Sequence, residues 1–216
     1  MWYDVYRPQK GRGTMQHLAA SLLNTIPHEL LETAVLRDYA AGEVIKRAGE
    51  SFCHFCILSR GTAKLIYEGA DSQPLIIDLY HQGDFFGEME ALNLSTEDRS
   101  LVALTDCSLY QFTGEQFLSM WNSNSEFSRY ILYVHCERLI RAGNDKIHSD
   151  SMFLREKIFC LIQQNLNEAN YFLYTKDILA EMAGISIRSL NRVLNELRDL
   201  KLISLNAGVI RLRVSP

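Results

Sequence analysis

The sequence predicts an α+β chain in three successive parts. These are an antiparallel β-roll (a double-stranded β-helix), a long helix, and a C-terminal helix-turn-helix with a hairpin wing. Three observations predict it. Between Val35 and Phe112 six glycines (positions 42, 49, 61, 69, 83 and 87) punctuate short runs of β-branched and aromatic residues. That pattern is one of many short strands joined by tight turns. Beyond Gly114, as far as Asp150, only Gly143 and no proline interrupts the chain, and apolar residues recur at helical spacing. From Thr175 to Val214 two short amphipathic segments meet at Gly184 and are followed by an alternating stretch.

Composition sets the outer limits. The chain has 216 residues, 47% of them apolar and 22% charged, with 12 glycines and 4 prolines. These values are globular and exclude collagen-like or proline-rich classes. Apolar runs such as Leu75-Ile76-Ile77 fall far short of the ~18 residues of a membrane span. Basic residues in Met1–Gly13 are followed only by a short apolar patch, Leu18–Leu23, a poor secretory signal, so a cytoplasmic protein is expected. The net charge of −4 hides an asymmetry. Residues 1–150 carry 13 basic and 20 acidic residues, whereas residues 151–216 carry nine and six. A basic tail on an acidic body suggests two domains with different partners. The five cysteines (53, 56, 107, 136 and 160) are odd in number, which argues for free thiols.

Element by element, residues 1–112 read as an extension, a helix opened by Pro27, and the β-roll. Its strands fall on Phe55–Leu58, Thr62–Tyr67, Leu75–Tyr80 and Leu101–Phe112. Residues 113–150 read as one long helix. Phe127, Ile131 and Val134 form one apolar stripe, and Leu132, Cys136 and Leu139 a second. One stripe can cover the roll, while the other needs a further surface, which an identical helix from a second subunit supplies most simply. All six residues are therefore candidates for dimerisation. Residues 151–216 open with a helix marked by Leu154, Ile158, Leu161 and Ile162.

The passage from Thr175 to Leu197 is the most informative. Thr175 can cap a helix ending near Ala183. Small Ala180 admits a close neighbour, Gly184 can take the positive φ of a sharp turn, and Ser186 can cap a second helix. That helix turns Leu190, Val193, Leu194 and Leu197 inward and Ile187, Arg188, Asn191, Arg192 and Asn195 outward. The turn Asn206-Ala207-Gly208 then leads into a strand with Arg211 and Arg213 on one side. An outward helix face of arginine and asparagine suits base edges, because arginine forks onto guanine and asparagine pairs with adenine. Lys201, Arg211 and Arg213 suit phosphates. The candidate DNA-binding set is thus Thr175, Ser186, Ile187, Arg188, Ser189, Asn191, Arg192, Lys201, Arg211 and Arg213.

The order of roll, long helix and winged helix-turn-helix resembles the CRP/FNR family of bacterial transcription regulators. Leu58-Ser59-Arg60-Gly61-Thr62-Ala63, Gln82-Gly83-Asp84-Phe85-Phe86-Gly87-Glu88 and Ala103-Leu104-Thr105-Asp106-Cys107 carry the likeness, with the two helical parts. The resemblance implies a homodimer, a roll that takes a small effector, double-stranded promoter DNA as target, and RNA polymerase as a partner if the protein activates. It also implies an effector site at Gly87, Glu88, Met89, Arg99 and Ser100.

The chain departs from the cyclic-AMP-binding members at two points. Counting back from Ala103, the family's phosphate-holding Arg-Ser pair falls on Glu97-Asp98, and two acids repel a phosphate. Arg99-Ser100 substitutes only if the loop is two residues shorter. The family's adenine-contacting hydroxyl pair falls on Ala142-Gly143, which cannot donate a hydrogen bond. An unidentified effector other than cyclic AMP is therefore expected. The cysteine cluster of the oxygen-sensing branch is absent from residues 1–52, and Cys53 and Cys56, on opposite faces of a strand, make a poor chelate. No metal is expected, and no spacing marks His81, His135 or Cys136 as a haem ligand.

In the second helix Ile187-Arg188 stands where the family often has Arg-Glu, so a different operator is expected, while Arg192 matches a base-reading arginine. Two alternatives stay open. One is a cyclic-nucleotide-responsive regulator using Glu88 and Arg99. The other is a sensor or adaptor whose C-terminal domain binds protein, which would more often expose an apolar patch. The common nucleophile, zinc-protease, P-loop and dinucleotide motifs are missing, and no enzyme is expected.

Overall fold

The computed structural model describes residues 22, 26–68, 74–94, 98–149, 153–206 and 208–213. The expected N-terminal extension, Glu97, Ala207 and Val214 lie outside these residues. The chain divides into two compact units, one drawn from residues 10–70 and 77–141, the other mainly from 142–216.

In the first unit Pro27 caps the short helix α1 (His28–Glu32), its carbonyl accepting from the Leu30 and Leu31 N–H groups at 3.0 Å. The strands follow: β1 (Val35–Tyr39), β2 (Val44–Lys46), β3 (His54–Arg60), β4 (Thr62–Tyr67), β5 (Leu75–His81), β6 (Phe85–Phe86), β7 (Arg99–Ala103) and β8 (Cys107–Thr113). They form two four-stranded sheets, in the orders β1-β8-β3-β6 and β2-β7-β4-β5. The pairings of β8 with β1 and β3, and of β7 with β2 and β4, are antiparallel.

Alternation along β3 shows how the layers assemble. Cys56 and Leu58 join Ile45, Ala63, Tyr80, Phe86, Leu101 and Leu109 in a core drawn from both sheets. Phe55 and Ile57 face the other way, into a second core with Phe85, Phe112, Phe117, Met120, Phe127, Ile131 and Val134. A strand buried on both faces reads as an unbroken apolar run, which is why Phe55–Leu58 does not alternate in hydropathy.

Two expectations are corrected here. The run Leu101–Phe112 is two strands, β7 and β8, separated at Leu104–Asp106. The break packs against Gly61 (φ +95°), where an added Cβ would lie 2.3 Å from the Asp106 carbonyl oxygen. The single helix expected over 113–150 is likewise two, α3 (Gly114–Ser123) and α4 (Ser125–Ser149), preceded by the four-residue α2 (Glu88–Ala91). Asn124, at φ −120° and ψ 98°, ends α3. Its side-chain Oδ1 then accepts from the Glu126 and Phe127 N–H groups at 3.1 Å, restarting the helix.

A third correction concerns dimerisation. Phe127, Ile131 and Val134 are buried within their own chain, against Phe55, Phe85 and Phe117, and have no surface left for a partner. On the opposite side Leu132, Leu139 and Ile140 are 58%, 74% and 65% exposed, and Cys136 is exposed between them.

The second unit holds α5 (Leu154–Gln164), α6 (Lys176–Ala183), α7 (Ile187–Asp199), β9 (Ile203–Asn206) and β10 (Val209–Leu212). Ile158, Ile162, Leu179, Leu190, Val193, Leu194, Leu197, Ile203 and Ile210 share one core. Gly184 ends α6 in the left-handed region (φ 67°), and the Ile185 N–H reaches back to the Ala180 carbonyl at 3.1 Å. Lys201 adopts φ 60° after α7, where the Leu202 N–H donates to the Leu197 carbonyl at 3.0 Å. The antiparallel hairpin β9–β10 follows, with Gly208 (φ 84°) beside its turn.

Candidate nucleic-acid and effector interfaces

The outward face of α7 is built by its own caps and its buried side. Thr175 Oγ1 accepts from the Ile178 N–H at 3.4 Å, and Ser186 Oγ accepts from the Ser189 N–H at 3.2 Å while donating to Ser189 Oγ. These three hydroxyls fix the starts of α6 and α7. With Leu190, Val193, Leu194 and Leu197 buried, Arg188, Asn191, Arg192 and Asn195 must face solvent, and Ile187 is 41% exposed beside them. Among the described residues no carboxylate pairs with Arg188, Arg192, Arg211 or Arg213. Arg198, by contrast, is held by Asp199 at 2.9 Å at the far end of the helix. Lys201, Arg211 and Arg213 are exposed on the segment after α7.

Of the expected effector residues, Gly87, Glu88 and Met89 lie at α2, whereas Arg99 and Ser100 open β7. Gly87 takes φ +89°, and a Cβ there would meet the His54 carbonyl oxygen at 1.9 Å, so only glycine fits. Glu88 is buried, with Oε1 3.2 Å from His135 Nε2, while its Oε2 is buried with no hydrogen-bond partner. The Met89 carbonyl accepts from Leu92 and Leu94, which closes α2. Arg99 opens β7 opposite Tyr67. Its Nε lies 3.4 Å from Asp98 Oδ1, yet is buried without a hydrogen bond. Ser100 is buried, and its Oγ accepts from the Ala48 N–H at 2.9 Å.

His135 and Arg138 are the site residues that sequence reasoning missed. One turn apart on α4, they grip the segment Asp84–Glu88. The Arg138 guanidinium lies 5.0 Å and 5.1 Å from the Tyr80 and Phe85 ring centroids and 3.5 Å from Asp84 Oδ1. The His135 ring meets Phe85 edge-on at 5.8 Å. Their place beside the buried stripe that ends at Val134 was visible in the sequence, but not their pairing with Asp84 and Glu88 across elements. Burial pushes the Tyr80 hydroxyl and the Cys56 thiol upward, holding both neutral in this apolar layer. Cys53 is exposed and Cys56 buried, and no group of three or more metal-ligating side chains forms among the described residues. No described helix is long and apolar enough to cross a membrane.

Residues 36–124 match the cyclic nucleotide-binding domain family. The solved structure of CLP, the c-di-GMP-responsive global regulator of Xanthomonas campestris, superposes with a TM-score of 0.77 over 91% of this chain and 100% of that one, at 18% identity. The chain has the CRP/FNR fold. A CRP/FNR-family transcriptional regulator from Thermus thermophilus shares that fold too, with a TM-score of 0.68, 19% identity, and coverage of 83% and 94%. Among curated sequences, lysophospholipase NTE1 of Phaeosphaeria nodorum is 27% identical over 175 residues, 79% of this chain but 11% of that protein. The chain thus spans about a tenth of the length of that relative. The segment Gly87–Glu88 falls within the stretch matched by the cyclic nucleotide-binding domain family, whereas α6 and α7 lie beyond residue 124, outside it.

Proposed function

We propose that the chain is a homodimeric, sequence-specific DNA-binding transcription regulator of the CRP/FNR type. In this reading residues 151–216 are a winged helix-turn-helix, the roll takes a small effector other than cyclic AMP, and the chain is not an enzyme. The observation that carries it is the outward face of α7, where Ile187, Arg188, Asn191 and Arg192 are exposed and, among the described residues, no carboxylate pairs with either arginine. Arg188 and Arg192 fork onto guanine and Asn191 onto adenine in a major groove. Lys201, Arg211 and Arg213 bind phosphates. The exposed stripe of Leu132, Cys136, Leu139 and Ile140 meets its copy in a second subunit. Two recognition helices then read half-sites one helical turn apart, about 34 Å. RNA polymerase is a partner if the protein activates. The Xanthomonas relative responds to c-di-GMP, so the fold accommodates effectors beyond cyclic AMP.

A cyclic-nucleotide-responsive regulator is the second reading. It is favoured by two polar atoms that, among the described residues, are buried without a hydrogen-bond partner, Glu88 Oε2 and Arg99 Nε, which a ligand's hydroxyl and phosphate would satisfy. Titrating duplexes with the full chain at several salt concentrations, with and without cyclic AMP or c-di-GMP, tests both readings. Affinity that falls steeply with salt supports the regulator. Salt-insensitive or absent binding refutes it. Tightening by cyclic AMP selects the second reading.

A further inference from the structure

The hairpin β9–β10 has a third member. Asn167 Oδ1 accepts from the Ala169 and Tyr171 N–H groups, at 3.0 and 2.9 Å, and Asn170 adopts φ 63°. This tight turn sends residues 170–172 antiparallel along β10. The Phe172 N–H donates to the Ile210 carbonyl and the Leu212 N–H to the Asn170 carbonyl, both at 2.9 Å. Those two bonds bracket Tyr171 and Arg211, which face each other as a non-hydrogen-bonded pair, the register in which opposed side chains lie closest. Phe172 and Ile210 point into the core, so Tyr171 and Arg211 share the opposite, outward face. There the Arg211 guanidinium lies 5.1 Å from the Tyr171 ring centroid.

We propose that Tyr171 is a positioning residue for the DNA interface, its ring holding the Arg211 guanidinium in place for a duplex phosphate. This inference rests on the DNA-binding reading above. A free arginine must lose rotamer freedom when it docks, whereas one stacked on a ring has already lost much of it and keeps its N–H edge open. The aromatic face also attracts the cation, which shifts the arginine toward its stacked, pre-positioned state by roughly 2- to 5-fold at an exposed site.

Phosphate contact is independent of sequence, so a random-sequence duplex of about 30 base pairs at about 50 mM salt is a sufficient probe. The full chain is compared as wild type, Y171A, Y171L, Y171F, R211A and Y171A/R211A, with thermal melts to establish folding. Y171A and Y171L should each weaken binding roughly threefold, Y171F should match wild type, and Y171A should add nothing to R211A. An equal loss from Y171A with and without Arg211, or a Y171L affinity equal to wild type, overturns the positioning role. A wild type that binds no duplex removes the DNA-binding reading itself. A wild type that binds while Y171A has no effect removes only this inference.

Discussion

Glu88 and Cys56 show how much chemistry one buried residue can fix. Glu88 is 3% exposed, yet it keeps a partner only because α4 supplies His135. Burying a carboxylate alone is costly, so the fold places a polar side chain from α4 against Glu88. Cys56 and Tyr80 instead stay neutral. Their ordinary values are 9.0 and 10.0, and burial raises both. Their contribution to stability is therefore complete below those values and is lost as pH rises toward the folded values, because the unfolded chain ionises first. Urea midpoints should be level near neutral pH and fall above about pH 9, and a midpoint still level at about pH 11 contradicts this. The thiols should also divide by reactivity. Iodoacetamide on the native chain should modify exposed Cys53 and spare Cys56 and Cys107, as read by mass spectrometry of peptides. Glu88 itself was legible from its segment, but His135 was not, because pairing across elements leaves no local pattern.

At the scale of the element, hydrophobic spacing was the strongest guide. On α7 the spacing of Leu190, Val193, Leu194 and Leu197 gave the buried side, so the outward face followed by subtraction. Leu194 is fully buried in the core of the second unit, and L194A should cost about 2–5 kcal/mol in a denaturant titration. A loss under about 1 kcal/mol would mean that α7 is poorly packed. Helix boundaries were harder to read. Asn124 splits the stretch after Thr113 through its own side-chain bonds, and a polar residue in a helical pattern does not announce whether it caps or merely faces solvent. The two stripes on α4 were both visible, but spacing alone could not say which faces inward. The core around Phe55 decided that, leaving Leu132, Leu139 and Ile140 outside. A charge on that stripe should prevent pairing, so L139E should sediment as a monomer at concentrations where wild type is a dimer. Equal sedimentation of the two would assign the stripe another role.

For the whole molecule, the fold class was legible because three unlike patterns follow one another: glycine-punctuated strands, a proline-free helical stretch, and two short helices with an alternating tail. Charge asymmetry separated a body of 13 basic and 20 acidic residues from a tail of nine and six. The effector was not legible, because the residues proposed for it lie on α2 and β7, and His135, which meets Glu88, lies on α4, all distant in sequence. Arg99 and Ser100 show the difficulty. Their order along the chain fits a phosphate site, yet Ser100 already bonds the Ala48 N–H and Arg99 lies beside Asp98. The proposed function rests on the outward face of α7. The most direct test is selection of duplexes from a random pool by the full chain, run in parallel with R192A and R211A. Wild type should enrich a two-fold symmetric sequence. R192A should lose preference at one position in each half-site, and R211A should keep the sequence while binding all duplexes more weakly. Enrichment of no sequence by the wild type, or an unchanged selected sequence with R192A, would contradict the account.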